Sequence, residues 1–176
     1  MRIPNNAILV GKSLAASRIG SAVGLIVIAL DRQGKIEALP SRKTILAAGD
    51  KLLVQGRLDR FEELRRWSEV VIEREAPLLK TLANERVGLV EARIADDSAL
   101  IKRLVNHSDF RRRFGVNVLA IRRNKLVRRV SISKVPLRAG DWLLLQGNKE
   151  SLGKLDRSPE FISTANVDEE KLTELY

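Results

Sequence analysis

Apolar residues fall in short blocks between polar turns, and the blocks recur along the chain. Residues 25–30 and 116–121 are apolar and rich in β-branched side chains, which predicts buried strands. Each is followed by a polar turn, Asp31-Arg32-Gln33-Gly34 and Arg122-Arg123-Asn124-Lys125, and then by a second, less regular strand. The pairs Gly49-Asp50 and Gly140-Asp141 read as tight turns that launch strands over 52–55 and 143–146. Helical spacing is confined to short stretches. Residues 14–19 and 104–110 each end near a glycine. Residues 57–66 would turn Phe61 and Leu64 inward, and Lys149–Leu155 would do the same with Leu152 and Leu155.

A shift of 91 residues brings these blocks into register without a gap. Ala48-Gly49-Asp50-Lys51-Leu52-Leu53-Val54-Gln55-Gly56 falls on Ala139-Gly140-Asp141-Trp142-Leu143-Leu144-Leu145-Gln146-Gly147. Val23-Gly24-Leu25-Ile26-Val27-Ile28-Ala29-Leu30 falls on Phe114-Gly115-Val116-Asn117-Val118-Leu119-Ala120-Ile121. Leu9, Ser17, Leu46 and Leu64 meet Leu100, Ser108, Leu137 and Leu155. The chain is therefore read as one small α+β module present twice. The first copy spans 1–66, a linker 67–86, the second copy 87–157, and an acidic C-terminal tail 158–176. The opening strand of copy two is expected at 88–95. Its counterpart in copy one would begin before Met1, leaving Ile3, so the chain is expected to be cut from a longer protein.

Charge refines this picture. Of 176 residues, 32 are Lys or Arg and 22 are Asp or Glu, a formal net charge of +10. The excess sits in the two copies, at +6 over 1–66 and +9 over 87–157, whereas 67–86 carries −1 and 158–176 carries −4. Such a field favours anionic partners. With no cysteine, disulfides and thiolate metal sites are excluded. The longest apolar run, 22–30, is too short to cross a bilayer.

The order Ser98-Ala99-Leu100-Ile101, Phe110-Arg111-Arg112-Arg113-Phe114-Gly115-Val116-Asn117-Val118-Leu119-Ala120-Ile121-Arg122 and Leu137-Arg138-Ala139-Gly140-Asp141-Trp142-Leu143-Leu144-Leu145-Gln146-Gly147 resembles the TrkA-C domain, the C-terminal domain of regulators of potassium conductance. Copy one shows the same frame in Leu9-Val10-Gly11-Lys12-Ser13-Leu14 and from Ala47 to Gly56. The resemblance implies two tandem βαβββα-like domains packed as a pseudo-twofold pair, as in the cytosolic insert of sodium/sulfate/dicarboxylate symporter-type permeases. Potassium channels and potassium uptake or antiport systems are other hosts. It further implies a non-catalytic regulatory module on the cytoplasmic side of a membrane. Its partners would be the transmembrane part of the same transporter and a second copy, in a homodimer or within the chain.

The family also implies a place for a ligand. Some TrkA-C modules bind a cyclic dinucleotide between two copies of the domain, at the helix end and following strand. Here that region is 111–117 and, in copy one, 18–26. Arg111, Arg113, Asn117 and Arg18 are the candidate ligand-binding residues, since arginine forks match phosphate geometry. Gly49, Asp50, Gly140 and Asp141 are expected to serve their turns. No glycine-rich dinucleotide fingerprint occurs, so no nicotinamide cofactor is expected. Lys102 stands where copy one has Gly11, and Leu104 where it has Ser13, so a ligand contact built on that turn could exist in one copy only.

Other chemistry has a plainer explanation. His107-Ser108-Asp109 holds the residue types of a triad, but successive helical side chains diverge by about 100° and cannot form a relay. From Lys102 to Arg138 there are twelve basic residues and one acid, Asp109. The readings are a solvated face beside a membrane or the acidic tail, an anion site, or nucleic acid. The last lacks the aromatic platforms that stack bases. A structural oligomerisation module without a ligand is the competing reading of the whole chain.

Overall fold

A computed structural model describes residues 1–20, 22–56, 58–68, 70–71, 82–129 and 131–176. The first residue of the helix expected at 57–66, and residues 72–81 of the expected linker, lie outside the described residues. The chain divides into two compact units, Met1–Thr81 and Leu82–Tyr176. The first unit runs α1 (Leu14–Ser17), β1 (Ile26–Arg32), β2 (Lys35–Ala38), β3 (Lys51–Gln55) and α2 (Leu58–Ser68). The second runs β4 (Val87–Ile94), α3 (Phe110–Arg113), β5 (Val116–Arg123), β6 (Leu126–Arg128), β7 (Trp142–Asn148), α4 (Lys149–Leu155), β8 (Phe161–Asn166) and α5 (Glu169–Leu175). Their antiparallel sheets have the orders β2-β1-β3 and β6-β5-β7-β4-β8.

The same frame is folded twice. Buried Ile3, Leu9, Leu30, Leu46, Leu52 and Leu64 recur 91 positions on as buried Ile94, Leu100, Ile121, Leu137, Leu143 and Leu155. Backbone bonds recur with them. Gly11 N–H donates to Leu46 O as Lys102 N–H does to Leu137 O, and Ile3 N–H donates to Asp50 O as Ile94 N–H does to Asp141 O. A β-bulge interrupts β1 between Val27 and Ala29, and β5 between Val118 and Ala120. One core layer differs: Ile19, Val23 and Val70 give way to Phe110, Phe114 and Phe161, whose rings stand 5.6 and 5.7 Å apart in sequence order. Such tilted and edge-on contacts are favourable ring geometries.

Two expectations need correction. The helix read at 104–110 is a 3-10 turn, Val105–His107, followed by α3, because Asp109 between them is left-handed at φ 53°. The helix read at 14–19 likewise stops at Ser17, with Arg18 left-handed at φ 57°. In each case a serine hydroxyl bonds back to a carbonyl of its own turn, Ser17 to Leu14 and Ser108 to Leu104, which closes the turn rather than extending it.

Residues 158–176 are not a tail. They form β8, which pairs with β4, and α5, capped by the Asp168 carboxylate. Copy one carries a remnant of the same strand. Arg2 bridges Lys51 on one side and Val71 on the other, as β4 lies between β7 and β8. Val71, within the expected linker, thus stands where β8 stands in the second unit.

Gly24 and Gly115 hold the same turn at φ 74° and 71°, a conformation costly for any residue with a Cβ. Open space surrounds a Cβ at Gly24, but one at Gly115 would stand 2.5 Å from the Ser151 hydroxyl. Gly24→Ala is expected to destabilise by about 1 kcal/mol and Gly115→Ala by about 2 kcal/mol. Urea unfolding midpoints of the two variants measure the difference.

Candidate ligand site at the α3–β5 corner

The Gly-Asp turns come first, because they fix the sheet ends. Asp50 is 1 % exposed; its carboxylate accepts Arg32 Nε and Nη2 at 2.7 Å each and the Ala47 N–H at 2.8 Å. Asp141, also 1 % exposed, accepts Arg123 Nε and Nη2 at 2.7 Å each and the Arg138 N–H at 2.9 Å. The same Nη2 of each arginine also donates to a loop carbonyl, Ile45 O at 2.8 Å or Pro136 O at 3.0 Å. These are two-pronged, charge-assisted pairs. Burial pushes the Asp50 carboxyl up, but the Arg32 fork and the Ala47 N–H outweigh it and hold the carboxyl below its ordinary range. Both carboxylate oxygens of each turn are thus directed into the fold.

The helix-end residues form a second network. Arg111, half-buried on α3, donates from Nη1 to Asn117 Oδ1 at 2.9 Å. Asn117 Nδ2 donates to Gln146 Oε1 at 3.1 Å, and Gln146 Nε2 to Leu82 O at 2.7 Å. Asn117 and Gln146 are buried on neighbouring strands β5 and β7, where they pair directly. A chain of amides thus runs inward from one guanidinium and sets its orientation. In copy one the equivalent positions are Gly20, Ile26 and Gln55, so this network belongs to copy two alone.

Arg113 takes another direction. Its Nη2 donates to Glu160 Oε1 at 3.1 Å, and its guanidinium lies 4.9 Å from the Phe114 ring centre. Two helical steps separate Arg111 and Arg113 by about 200°, so they engage different groups. Glu160 also accepts the Ser98 hydroxyl at 2.5 Å. Burial works against its charge, but these bonds prevail and its carboxyl lies below the ordinary range. Arg18 is exposed at the end of α1, in the other unit. Of the four candidates, the structure brings Arg111 and Asn117 together, holds Arg113 on Glu160, and leaves Arg18 on the surface of the first unit.

A third cluster escaped sequence reasoning. Glu91 sits in β4 with 2 % exposure. It accepts Arg122 from β5 and the Tyr176 hydroxyl at 2.5 Å, while Lys171 Nζ on α5 stands 3.6 Å away. The Arg122 guanidinium lies 5.3 Å from the Trp142 ring centre. Burial disfavours the Glu91 charge, but Tyr176, Arg122 and Lys171 outweigh it and pull the carboxyl below its usual range. Burial and the adjacent carboxylate push the Tyr176 phenol up. The available signal was one acid inside the apolar strand 88–95; its partners lie 31 and 85 residues away.

Among the described residues no cluster of His, Cys, Asp or Glu could hold a metal ion, and no helix is long and apolar enough to cross a membrane.

Comparison with known proteins follows this division of the chain. Residues 1–68 and 89–158 each match the TrkA-C domain. The uncharacterized transporter sll0640 of Synechocystis sp. is 30 % identical over 168 residues, covering 91 % of this chain and 27 % of that protein. The uncharacterized transporter YfbS of Escherichia coli is 33 % identical over 84 residues, 48 % of this chain and 14 % of that protein. The chain therefore spans about a quarter or less of these two relatives. Among solved structures, the RCK_C domain dimer of S. agalactiae BusR in complex with c-di-AMP aligns at 18 % identity and a TM-score of 0.36, covering 38 % of this chain and 88 % of that one. The GsuK RCK domain aligns at 12 % identity and 0.38, covering 87 % and 61 %. With two matched segments that together make up most of its length, the chain belongs to the TrkA-C domain family and carries the domain as two tandem copies.

Proposed function

We propose that the chain is a non-catalytic regulatory module of a membrane ion transporter, held on the cytoplasmic side, and that it responds to a small anionic ligand. The observation that carries this reading is a twice-folded TrkA-C frame in a chain with two relatives named as transporters. The Arg111–Asn117 corner of copy two is the proposed ligand site. Its guanidinium is oriented by a buried amide chain before any ligand arrives, and a fork held in advance loses little freedom on meeting a phosphate. A ligand shifts a transporter only by binding one of its states more tightly than another. A cyclic dinucleotide, with two phosphates and two bases, is the proposed ligand. A sodium-coupled anion permease or a potassium system is the proposed host.

Thermal unfolding of the chain with cyclic dinucleotides, ATP, sulfate and dicarboxylates tests the reading. A true ligand at about 100 times its Kd adds about 2.7 kcal/mol, a rise of several degrees. The rise is expected with a cyclic dinucleotide and should vanish in Arg111→Ala. Silence across the panel would leave a scaffold that steadies oligomer contacts.

A further inference from the structure

The two copies carry the same hairpin, balanced in charge in one and wholly cationic in the other. In copy one, residues 31–38 hold Asp31, Arg32, Lys35 and Glu37, two cations and two anions. In copy two, the equivalent residues 122–129 hold Arg122, Arg123, Lys125, Arg128 and Arg129 and no acid. From Phe110 to Gly140 there is no Asp or Glu at all. Arg122 and Arg123, on the β5 arm, are committed to Glu91 and Asp141. Lys125 is exposed in its turn, and Arg128 and Arg129 are exposed along and just after β6.

Between those cations stands an apolar pair. Leu126 is 78 % exposed, the highest among the exposed large hydrophobic residues, and Val127 beside it is 37 % exposed. Leu126 opposes Arg123 beside the turn, and the Arg123 guanidinium ties this end of the hairpin to Pro136 O and Asp141, so Leu126 is presented on a fixed support. We infer that this β5–β6 hairpin is a docking surface for an anionic lipid bilayer, with Leu126 entering the headgroup layer and Lys125 and Arg128 on lipid phosphates.

Charge complementarity and the apolar tip together select this occupant. A cationic patch attracts any polyanion, but an exposed leucine at its centre gains only where it meets an apolar medium. Nucleic acid offers phosphates, yet the hairpin has no aromatic side chain to stack a base. A second copy could add a strand at β6, which is the outermost strand of its sheet. β6 is three residues long, and Arg128 within it and Lys125 and Arg129 beside it are all cationic, features that oppose edge-to-edge pairing.

The test is co-sedimentation of the 176-residue chain with vesicles of phosphatidylcholine alone or mixed with phosphatidylglycerol. Binding is expected to the mixed vesicles, to fall with added salt, and to be absent on the neutral ones. Each cation near such a surface contributes about fivefold in affinity, so Lys125→Glu with Arg128→Glu should weaken binding at least about 25-fold. Leu126→Ser should weaken it about tenfold, with thermal unfolding unchanged. Ile36→Ser on the copy-one hairpin should have no effect. Absent binding to mixed vesicles, or binding that either copy-two variant retains in full, overturns the inference. Tighter binding of duplex DNA through the same residues overturns it in favour of nucleic acid, and a dimer abolished by Leu126→Ser overturns it in favour of a second copy. Vesicle binding is read without any transporter or nucleotide, so its failure leaves the regulatory proposal standing.

Discussion

Replacing Glu91 by alanine is expected to lower the stability of the second unit by about 3–5 kcal/mol. The carboxylate is buried in β4 and receives Arg122, Tyr176 and Lys171 from β5, the chain end and α5. Removing it leaves a guanidinium 19 % exposed with no anion, beside a phenol with no acceptor. Glu91→Gln keeps the shape and one acceptor and should lose less. Removing Glu150 from its exposed pair with Lys154 should leave the urea midpoint unmoved. The pH dependence follows from the direction of the shift. The folded carboxyl of Glu91 titrates below the ordinary glutamate value of about 4.3, so its contribution is complete above that value. It is lost as pH falls through the lower, folded value. The wild-type chain should therefore lose stability steeply on acidification, and Glu91→Ala less steeply. Equal acid slopes in the two proteins would remove Glu91 from the account.

The second large effect is expected twice. Asp50→Ala and Asp141→Ala should each cost about 2–4 kcal/mol, because each leaves a turn N–H unsatisfied and an arginine fork without its anion. The two networks share every partner position at one spacing, Arg32 with Arg123, Ala47 N with Arg138 N, and Ile45 O with Pro136 O. The losses should therefore agree within about 1 kcal/mol, and in the double variant they should add, since the sites lie in separate units. Urea unfolding of the three variants checks both statements. A loss confined to one copy would mean that the repeated geometry does not carry repeated energetics.

Asp50 and Asp141 also show how far a single sequence can be read. Their turns and their backbone acceptor role follow from local chemistry, since a Gly-Asp pair before an apolar strand offers few other conformations. Their arginines do not, because an ion pair 18 residues away depends on strand register. The strands of each copy were legible from apolar blocks and from the common spacing. The fifth strand was not: β8 alternates weakly in Phe161-Ile162-Ser163-Thr164, and acidic residues around it suggested a solvated tail. At the candidate site, Arg111 and Asn117 were found together through the family resemblance. The separation of Arg113 is a tertiary effect, as its partner Glu160 lies 47 residues away, beyond the expected end of the second copy. Glu91 was hidden for the same reason, with its hydroxyl partner at the last position of the chain.

The bulges in β1 and β5 decide which groups can meet at all. Before the bulge Val27 faces Val54; beyond it Leu30 faces Leu52 and Asp31 faces Lys51, which sets Arg32 alongside Asp50. Counted straight through from Val27, the ladder would instead oppose Asp31 to Asp50, carboxylate against carboxylate. The same count in β5 would shift Arg123 off Asp141 and draw Arg122 toward it, away from Glu91. One surplus residue, Ile28 or Leu119, thus inverts the parity of half a strand, and in β1 it turns a repulsion into a clasp. Shortening either strand by that residue would rewire the ionic partners of the whole sheet end while sparing every apolar contact ahead of it.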